Sequence, residues 1–260
     1  MLLALDIGNT AIKAGCFAGH RLVAVEAHRW TSGAPRAWDA AWETLWAQLS
    51  VPAHEVERIG LVSVVPEARA RLTAVLAARF ACPLVTVTPA LPLPFTMAYE
   101  TPDTLGADRV AAAAGGWARY RVPGRPLLVI DAGTAITYEV LTADGCYRGG
   151  AIAPGPALMA RALHDRTAQL PEVPLAPPPD VIGASTNAAL QSGIVWGAVE
   201  SVRGMIARYT RRLDAPPVVV LTGGGHPLLA PHLDALDHVD PHLVLRGVQV
   251  LTAAASSSAA

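Results

Sequence analysis

The stretch Leu2-Leu3-Ala4-Leu5-Asp6-Ile7-Gly8-Asn9-Thr10-Ala11-Ile12-Lys13 decides how the chain is read. Its apolar run at 2–5 and a second run at 12–17 flank a Gly8-Asn9 turn signal, which predicts a β-hairpin. Residues 21–26 add a third strand. A second version begins at 127–130, an apolar strand that runs into Asp131-Ala132-Gly133-Thr134-Ala135-Ile136 with one residue fewer in the turn. A short D-x-G-T match is cheap by chance. This one repeats its preceding strand and its following hairpin as well, and so predicts two halves of one architecture.

Working outward, Trp38, Trp42, Leu45, Trp46 and Leu49 fall at helical spacing and predict an amphipathic helix ending near Pro52, its tryptophans facing the core. Residues 59–65 read as a buried strand, Pro66 as the first turn of a helix reaching Phe80, and 84–87 as a short strand. A proline-bearing loop at 89–102 leads into an alanine-rich helix at 104–120. In the second half, a proline-dense loop at 171–179 precedes a long helix at 186–213, followed by a strand at 218–221. The triplet Gly223-Gly224-Gly225 then makes a tight turn and 226–236 a helix, while the small residues of 253–260 read as a frayed tail. Strands alternating with helices predict an α/β protein, divided into domains at 1–120 and 121–260.

Composition narrows the function classes. With 260 residues, 52% hydrophobic and 16% charged, the chain has the apolar surface to fold into one large domain or two smaller ones. Twenty basic against 21 acidic residues leave a net charge of −1, so no global electrostatic footprint for nucleic acid exists. Cys16, Cys82 and Cys146 stand far apart, with neither disulfide-framework nor zinc spacing, which fits a reducing, cytoplasmic setting. Asp6 interrupts the apolar start at once, and no run of about 18 apolar residues follows, so neither a signal peptide nor a membrane span is expected.

A strand that ends in Asp6 and turns through Gly8-Asn9-Thr10 suits a phosphate. Glycine lets backbone N–H groups approach an anion, the threonine hydroxyl can donate, and the aspartate can hold hydrated Mg²⁺. Lys13 is the only lysine in the chain, and a compact ammonium on a flexible stem suits a moving phosphoryl group. Taken alone, the segment is equally compatible with a plain hairpin and an incidental lysine; the second copy at 131–134 turns the reading towards two facing hairpins that grip a polyphosphate. The Gly223 triplet is either a turn or a surface for adenine or ribose. For Gly106-Ala107-Asp108-Arg109, at the head of a helix, two readings also stand. Asp108 takes a proton from a substrate hydroxyl while Arg109 grips a carboxylate, or Asp108 merely complements the helix dipole beside a solvated arginine.

In order along the chain stand DIGNT with Lys13, SVVP at 63–66, Tyr99 ahead of GADR at 106–109, and DAGTA at 131–135. They are followed by GGAIAPG at 149–155, STNAALQSG at 185–193, TGGG at 222–225 and LRG at 245–247. As an ordered series these segments resemble type III pantothenate kinases, of the acetate and sugar kinase, Hsp70 and actin superfamily. The resemblance implies ATP-dependent phosphorylation of pantothenate, the first step towards coenzyme A, by a homodimer of chains with two RNase H-like (actin-like ATPase) domains, each a mixed sheet flanked by helices. It implies that Asp6, Ile7, Gly8, Asn9, Thr10, Ala11, Ile12 and Lys13 hold ATP, with Thr134 as a further ATP contact. Asp6 would hold Mg²⁺ through water, and Asp131 an activating monovalent cation, K⁺ or NH₄⁺. Tyr99, Gly106, Ala107, Asp108, Arg109 and Thr186 would shape the pantothenate pocket, with Asp108 as proton acceptor. Two alternatives stand beside this reading: a kinase of the same superfamily for another small alcohol or acid, and a non-catalytic regulator like the Bvg accessory factor. The presence of Asp6, Asp108 and Asp131 together speaks against the regulator.

Overall fold

Leu3, Ala4 and Leu5 are all fully buried, so the first strand has core on both of its faces and must lie inside a sheet. The structure, a computed structural model, describes residues 1–29 and 38–257. The chain divides into two units: Met1–Arg119 together with the C-terminal segment from Leu243, and Tyr120–His242.

In the first unit β1 (Leu2–Ile7), β2 (Ala11–Ala18) and β3 (Arg21–Arg29) form an antiparallel meander. After helix α1 (Trp38–Leu49), β4 (Arg58–Ser63) pairs in parallel with β1; after α2 (Pro66–Arg79), β5 (Leu84–Thr86) pairs in parallel with β4. The strand order is β3-β2-β1-β4-β5. One face of this sheet carries Leu3, Leu5, Ile7 and Ile12 against the apolar stripes of α1 and α2. There Trp42 stacks on Trp46 at 5.6 Å, and Phe80 meets Trp46 edge-on at 5.0 Å. The expected core role of the tryptophan stripe is what the structure contains.

The other face is built for close approach. Gly15, Ala4 and Gly60 lie side by side across β2, β1 and β4. A Cβ on Gly60 would strike Thr252 and Val248, and one on Gly15 would reach Leu22 and Leu245, so the flat row lets a helix rest directly on the sheet. That helix is the C-terminal one described below.

The chain continues through β6 (Thr96–Met97), a 3₁₀ turn at Pro102–Thr104 and α3 (Ala107–Tyr120). Beyond it the second unit repeats the plan. β7 (Leu127–Ala132), β8 (Ala135–Leu141) and β9 (Cys146–Pro154) form an antiparallel meander. α4 (Pro156–Arg166) and α5 (Thr186–Arg212) follow. β10 (Val218–Thr222) then pairs in parallel with β7, and after α6 (His226–Leu229), β11 (His238–Val239) pairs in parallel with β10. Within this unit the order β9-β8-β7-β10-β11 matches the first unit strand for strand. Both units are thus RNase H-like. Ala198, Val199, Val202 and Ile206 of α5 pack on Leu128, Ile130 and Tyr138, and the Pro-rich loop is anchored by Val173 against Ala160 and Ile194.

Three expectations are corrected. Residues 226–236 do not form one helix: α6 stops at Leu229 and a 3₁₀ turn spans Ala230–His232, because Pro231 lacks an N–H and its ring crowds the preceding turn. The frayed tail at 253–260 is, through its described part, the end of helix α7 (Leu243–Ser257), which lies on Gly60 through Val248 and Thr252. The C-terminal segment therefore groups with the first unit and not, as the division at 120/121 expects, with the second. α7 crosses α3 where a Cβ on Gly247 would overlap the Ala111 carbonyl and one on Gly115 the Leu243 carbonyl, so backbone meets backbone there. Helix α4 and strand β11 have no counterpart in the reading of the sequence.

Candidate active site

β1 delivers Asp6 to the end of the first hairpin, and the register sets Lys13 directly opposite it. Lys13 Nζ lies 3.8 Å from Asp6 Oδ2, a loose ion pair that leaves ammonium protons for another anion. The Gly8 N–H closes the turn onto the Ala11 carbonyl at 2.9 Å, and Asn9 and Thr10 are exposed at its tip. An added Cβ on Gly8 would meet only the Ala11 carbonyl, at an ordinary 3.5 Å. Neither packing nor a positive φ requires glycine there; its lack of a side chain leaves the face of the turn open. Ile7 and Ile12 point into the core, so what they offer a ligand is main chain.

The head of α3 holds the second group of residues. Asp108 Oδ1 accepts the Arg109 N–H at 2.8 Å, and a Cβ on Gly106 would stand 2.5 Å from that same oxygen, so glycine there gives the carboxylate its room. Arg109 is only 8% exposed, with its guanidinium 6.0 Å from the centroid of the Tyr99 ring. The reading of a solvated arginine is thereby excluded.

Electrostatics tie the two groups together. Burial pushes the Asp6 carboxyl above the usual carboxylate range, Lys13 opposes that rise, and the charge of Asp108 adds to it. Burial likewise raises Asp108, opposed by the N–H and the charge of Arg109. The fold thus brings the end of β1 and the head of α3 close enough for their carboxylates to repel.

The second unit carries the other hairpin. Asp131 stands opposite Thr137, where the first hairpin has Lys13, and the Gly133 N–H closes the turn onto the Ala135 carbonyl at 2.9 Å. The nearest atoms to a Cβ on Gly133 would be the Ala135 carbonyl at 3.6 Å and Asp131 Oδ1 at 3.8 Å, so this turn face is open as well. Thr134 is half-buried, its carbonyl accepting the N–H of Gly155 at the head of α4 at 2.9 Å. Gly223, at φ +87°, packs on the Asp131 carboxylate so closely that a Cβ would overlap it. Thr186 is the exposed first residue of α5, after a cap in which Ser185 Oγ accepts the Ala188 N–H at 3.2 Å. One unit therefore assembles Asp6, Lys13, Tyr99, Gly106, Ala107, Asp108 and Arg109; the other assembles Asp131, Thr134 and the Gly223 turn. The sequence reading passed over Gly155 and His226 as site-shaping residues. Gly155 sits inside a quoted motif, whereas only its place after the glycine triplet marks His226.

Residues 2–208 match the family described as type III pantothenate kinase. The chain belongs to that family. Type III pantothenate kinases from Chlorobaculum parvum and Moorella thermoacetica are 40% and 36% identical to it, over 96% of this chain and 93% and 98% of theirs. Among solved structures, a Baf family protein from Campylobacter jejuni superposes with a TM-score of 0.58 at 22% identity, covering 96% of each chain. The activator of the 2-hydroxyisocaproyl-CoA dehydratase from Clostridium difficile does so with 0.52 at 14%, covering 99% of this chain and 95% of the other. Those two likenesses speak to the fold alone.

As a type III pantothenate kinase the chain uses ATP with a divalent metal. Among the described residues no cluster of three or more His, Cys, Asp or Glu side chains forms an all-protein metal cage. Single carboxylates beside open glycine turns are instead the donor set of a hard cation that takes its other ligands from nucleotide phosphates and water, and the residues fit Mg²⁺ held in that way. Among the described residues no helix is long and apolar enough to cross a membrane.

Proposed function

We infer that this chain transfers the γ-phosphoryl group of ATP to the primary hydroxyl of pantothenate, committing it to coenzyme A synthesis, with Asp108 as proton acceptor. The observation that carries the mechanism is the convergence of Asp6, Lys13 and Asp108 within one unit, three charged groups from the strand, its hairpin partner and a distant helix. Phosphoryl transfer asks for alignment and charge neutralisation more than covalent help. Asp6 would hold Mg²⁺ through water, and the metal when bound would neutralise phosphate charge. The turn presents the N–H groups of Asn9, Thr10 and Ala11 to the phosphates, Gly8 leaving its face open while its own N–H is held by the Ala11 carbonyl, with the main chain of Ile7 and Ile12 behind it. Lys13 follows the moving phosphoryl group, and Thr134 adds an ATP contact.

Arg109, buried under Tyr99, grips the pantothenate carboxylate, and Gly106, Ala107 and Thr186 shape the pocket. The hydroxyl oxygen bonds to the γ-phosphorus as the bridge to ADP breaks, and the hydroxyl proton passes to Asp108. A raised pKa brings this carboxylate nearer to the working pH and makes it a better base than an ordinary aspartate.

Asp131 belongs to the same reading as ligand of an activating monovalent cation, K⁺ or NH₄⁺. So does a homodimer: an added Cβ on Gly193 or Gly197 of α5 would meet nothing, and both residues are exposed, a small-residue face fit for a second copy. Sedimentation of wild type beside Gly197→Leu checks the dimer. We place the enzyme in the cytoplasm, where ATP and pantothenate meet. The activity itself is tested by ADP release that depends on pantothenate and Mg²⁺, with a phosphorylated product seen by mass spectrometry. Turnover with another small alcohol but none with pantothenate would reassign the substrate.

A further inference from the structure

We propose that His226 is a positioning residue for Asp131, acting through the backbone of Gly223. The argument begins at the junction of β7 and β10, where the parallel register sets Thr222 beside Asp131. The chain then turns at Gly223 with φ +87°, a conformation that favours glycine. A Cβ there would overlap Asp131 Oδ1 and stand 2.5 Å from the Ala132 carbonyl. The backbone of residue 223 is therefore one wall of the space in which the Asp131 carboxylate lies. Three bonds hold that wall in place. The Gly225 N–H donates to the Ala132 carbonyl at 2.7 Å, and His226 Nδ1 lies 2.8 Å from the Gly223 carbonyl, which also receives the His226 N–H at 3.3 Å.

A carbonyl has no proton to give, so Nδ1 must carry it, and the half-buried ring is fixed as donor at that nitrogen. Without this bond the Gly223 carbonyl keeps only the longer bond from the His226 N–H, and the wall beside the carboxylate is held less firmly.

The proposal rests on the reading of Asp131 as the ligand of a monovalent cation. The full-length enzyme and its His226→Ala, His226→Asn and His226→Gln variants are compared, with Asp131→Asn as reference. Three quantities are read: the rise of the unfolding midpoint when KCl replaces choline chloride in the presence of Mg²⁺-ADP, the K⁺ concentration for half-maximal activity, and KM for pantothenate. The imidazole ¹⁵N spectrum of the wild type reports which ring nitrogen bears the proton. His226→Ala is expected to need about tenfold more K⁺ in both cation measurements, the size of one lost hydrogen bond, with KM for pantothenate unchanged. His226→Asn, whose amide nitrogen stands where Nδ1 stood, restores the wild-type response, and His226→Gln does not. A wild-type K⁺ response in His226→Ala, or an Nδ1 without a proton, overturns the proposal. A wild type indifferent to K⁺ overturns the reading of Asp131, and the proposal with it.

Discussion

Asp108 and Asp6 stand at positions where the fold resists charge, and this has a measurable sign. Each pKa is raised above its unfolded value, chiefly by burial. The stability contributed by the protonated form is present at low pH and is lost as pH rises through the folded pKa, so at neutral pH both carboxylates weaken the fold. Asp108→Asn keeps an oxygen to accept the Arg109 N–H and removes the charge. It is expected to raise the unfolding midpoint at pH 7.5 while lowering kcat about 10²- to 10⁴-fold; differential scanning calorimetry and steady-state kinetics read the two effects. Because the base must be ionised, the acid limb of the pH dependence of kcat/KM should lie above the ordinary aspartate pKa of about 3.9, as a pH series in wild type will show. Gly8 makes the complementary case. Its substitution by Ala meets no clash in the chain, so Gly8→Ala should unfold as wild type does but weaken ATP on the order of tenfold, because the methyl group stands on the face left open to the nucleotide, as a titration by calorimetry will read.

At the scale of elements, what the sequence disclosed was what is local. Strand, turn and strand follow one another within a dozen residues, so both hairpins, the shorter turn of the second and the carboxylate before each turn could be read directly. Helix α7 was legible only in part: Val244, Val248 and Leu251 stand at helical spacing, but its last residues are alanines and serines of little apolar signal, and its partner row of Gly15, Ala4 and Gly60 lies far away in the chain. The end of α6 was readable from Pro231 alone and was overrun. The burial of Arg109, which separates a carboxylate grip from a surface cap, depends on tertiary packing that no spacing reports. The crossing of α3 and α7 yields a prediction of its own. Gly247→Ala forces a methyl group into the Ala111 carbonyl and should cost roughly 1–3 kcal/mol, a drop of several degrees in the unfolding midpoint.

For the molecule as a whole, the same strand order built twice gives two hairpins, each with an aspartate before an open glycine turn. The copies have diverged at one telling place. Opposite its aspartate the first has the chain's single lysine and the second a threonine, the difference behind the proposed roles of the first in phosphoryl transfer and the second in holding a cation. Family membership supplies the substrate, which the residues alone could not. The most direct test of the account is ADP release by the full-length chain with Mg²⁺ and K⁺, with and without pantothenate, wild type beside Asp108→Asn. The account predicts turnover only when pantothenate is present, and its near-loss in the variant although ATP still binds. ADP release indifferent to pantothenate, or a variant as fast as wild type, would contradict it.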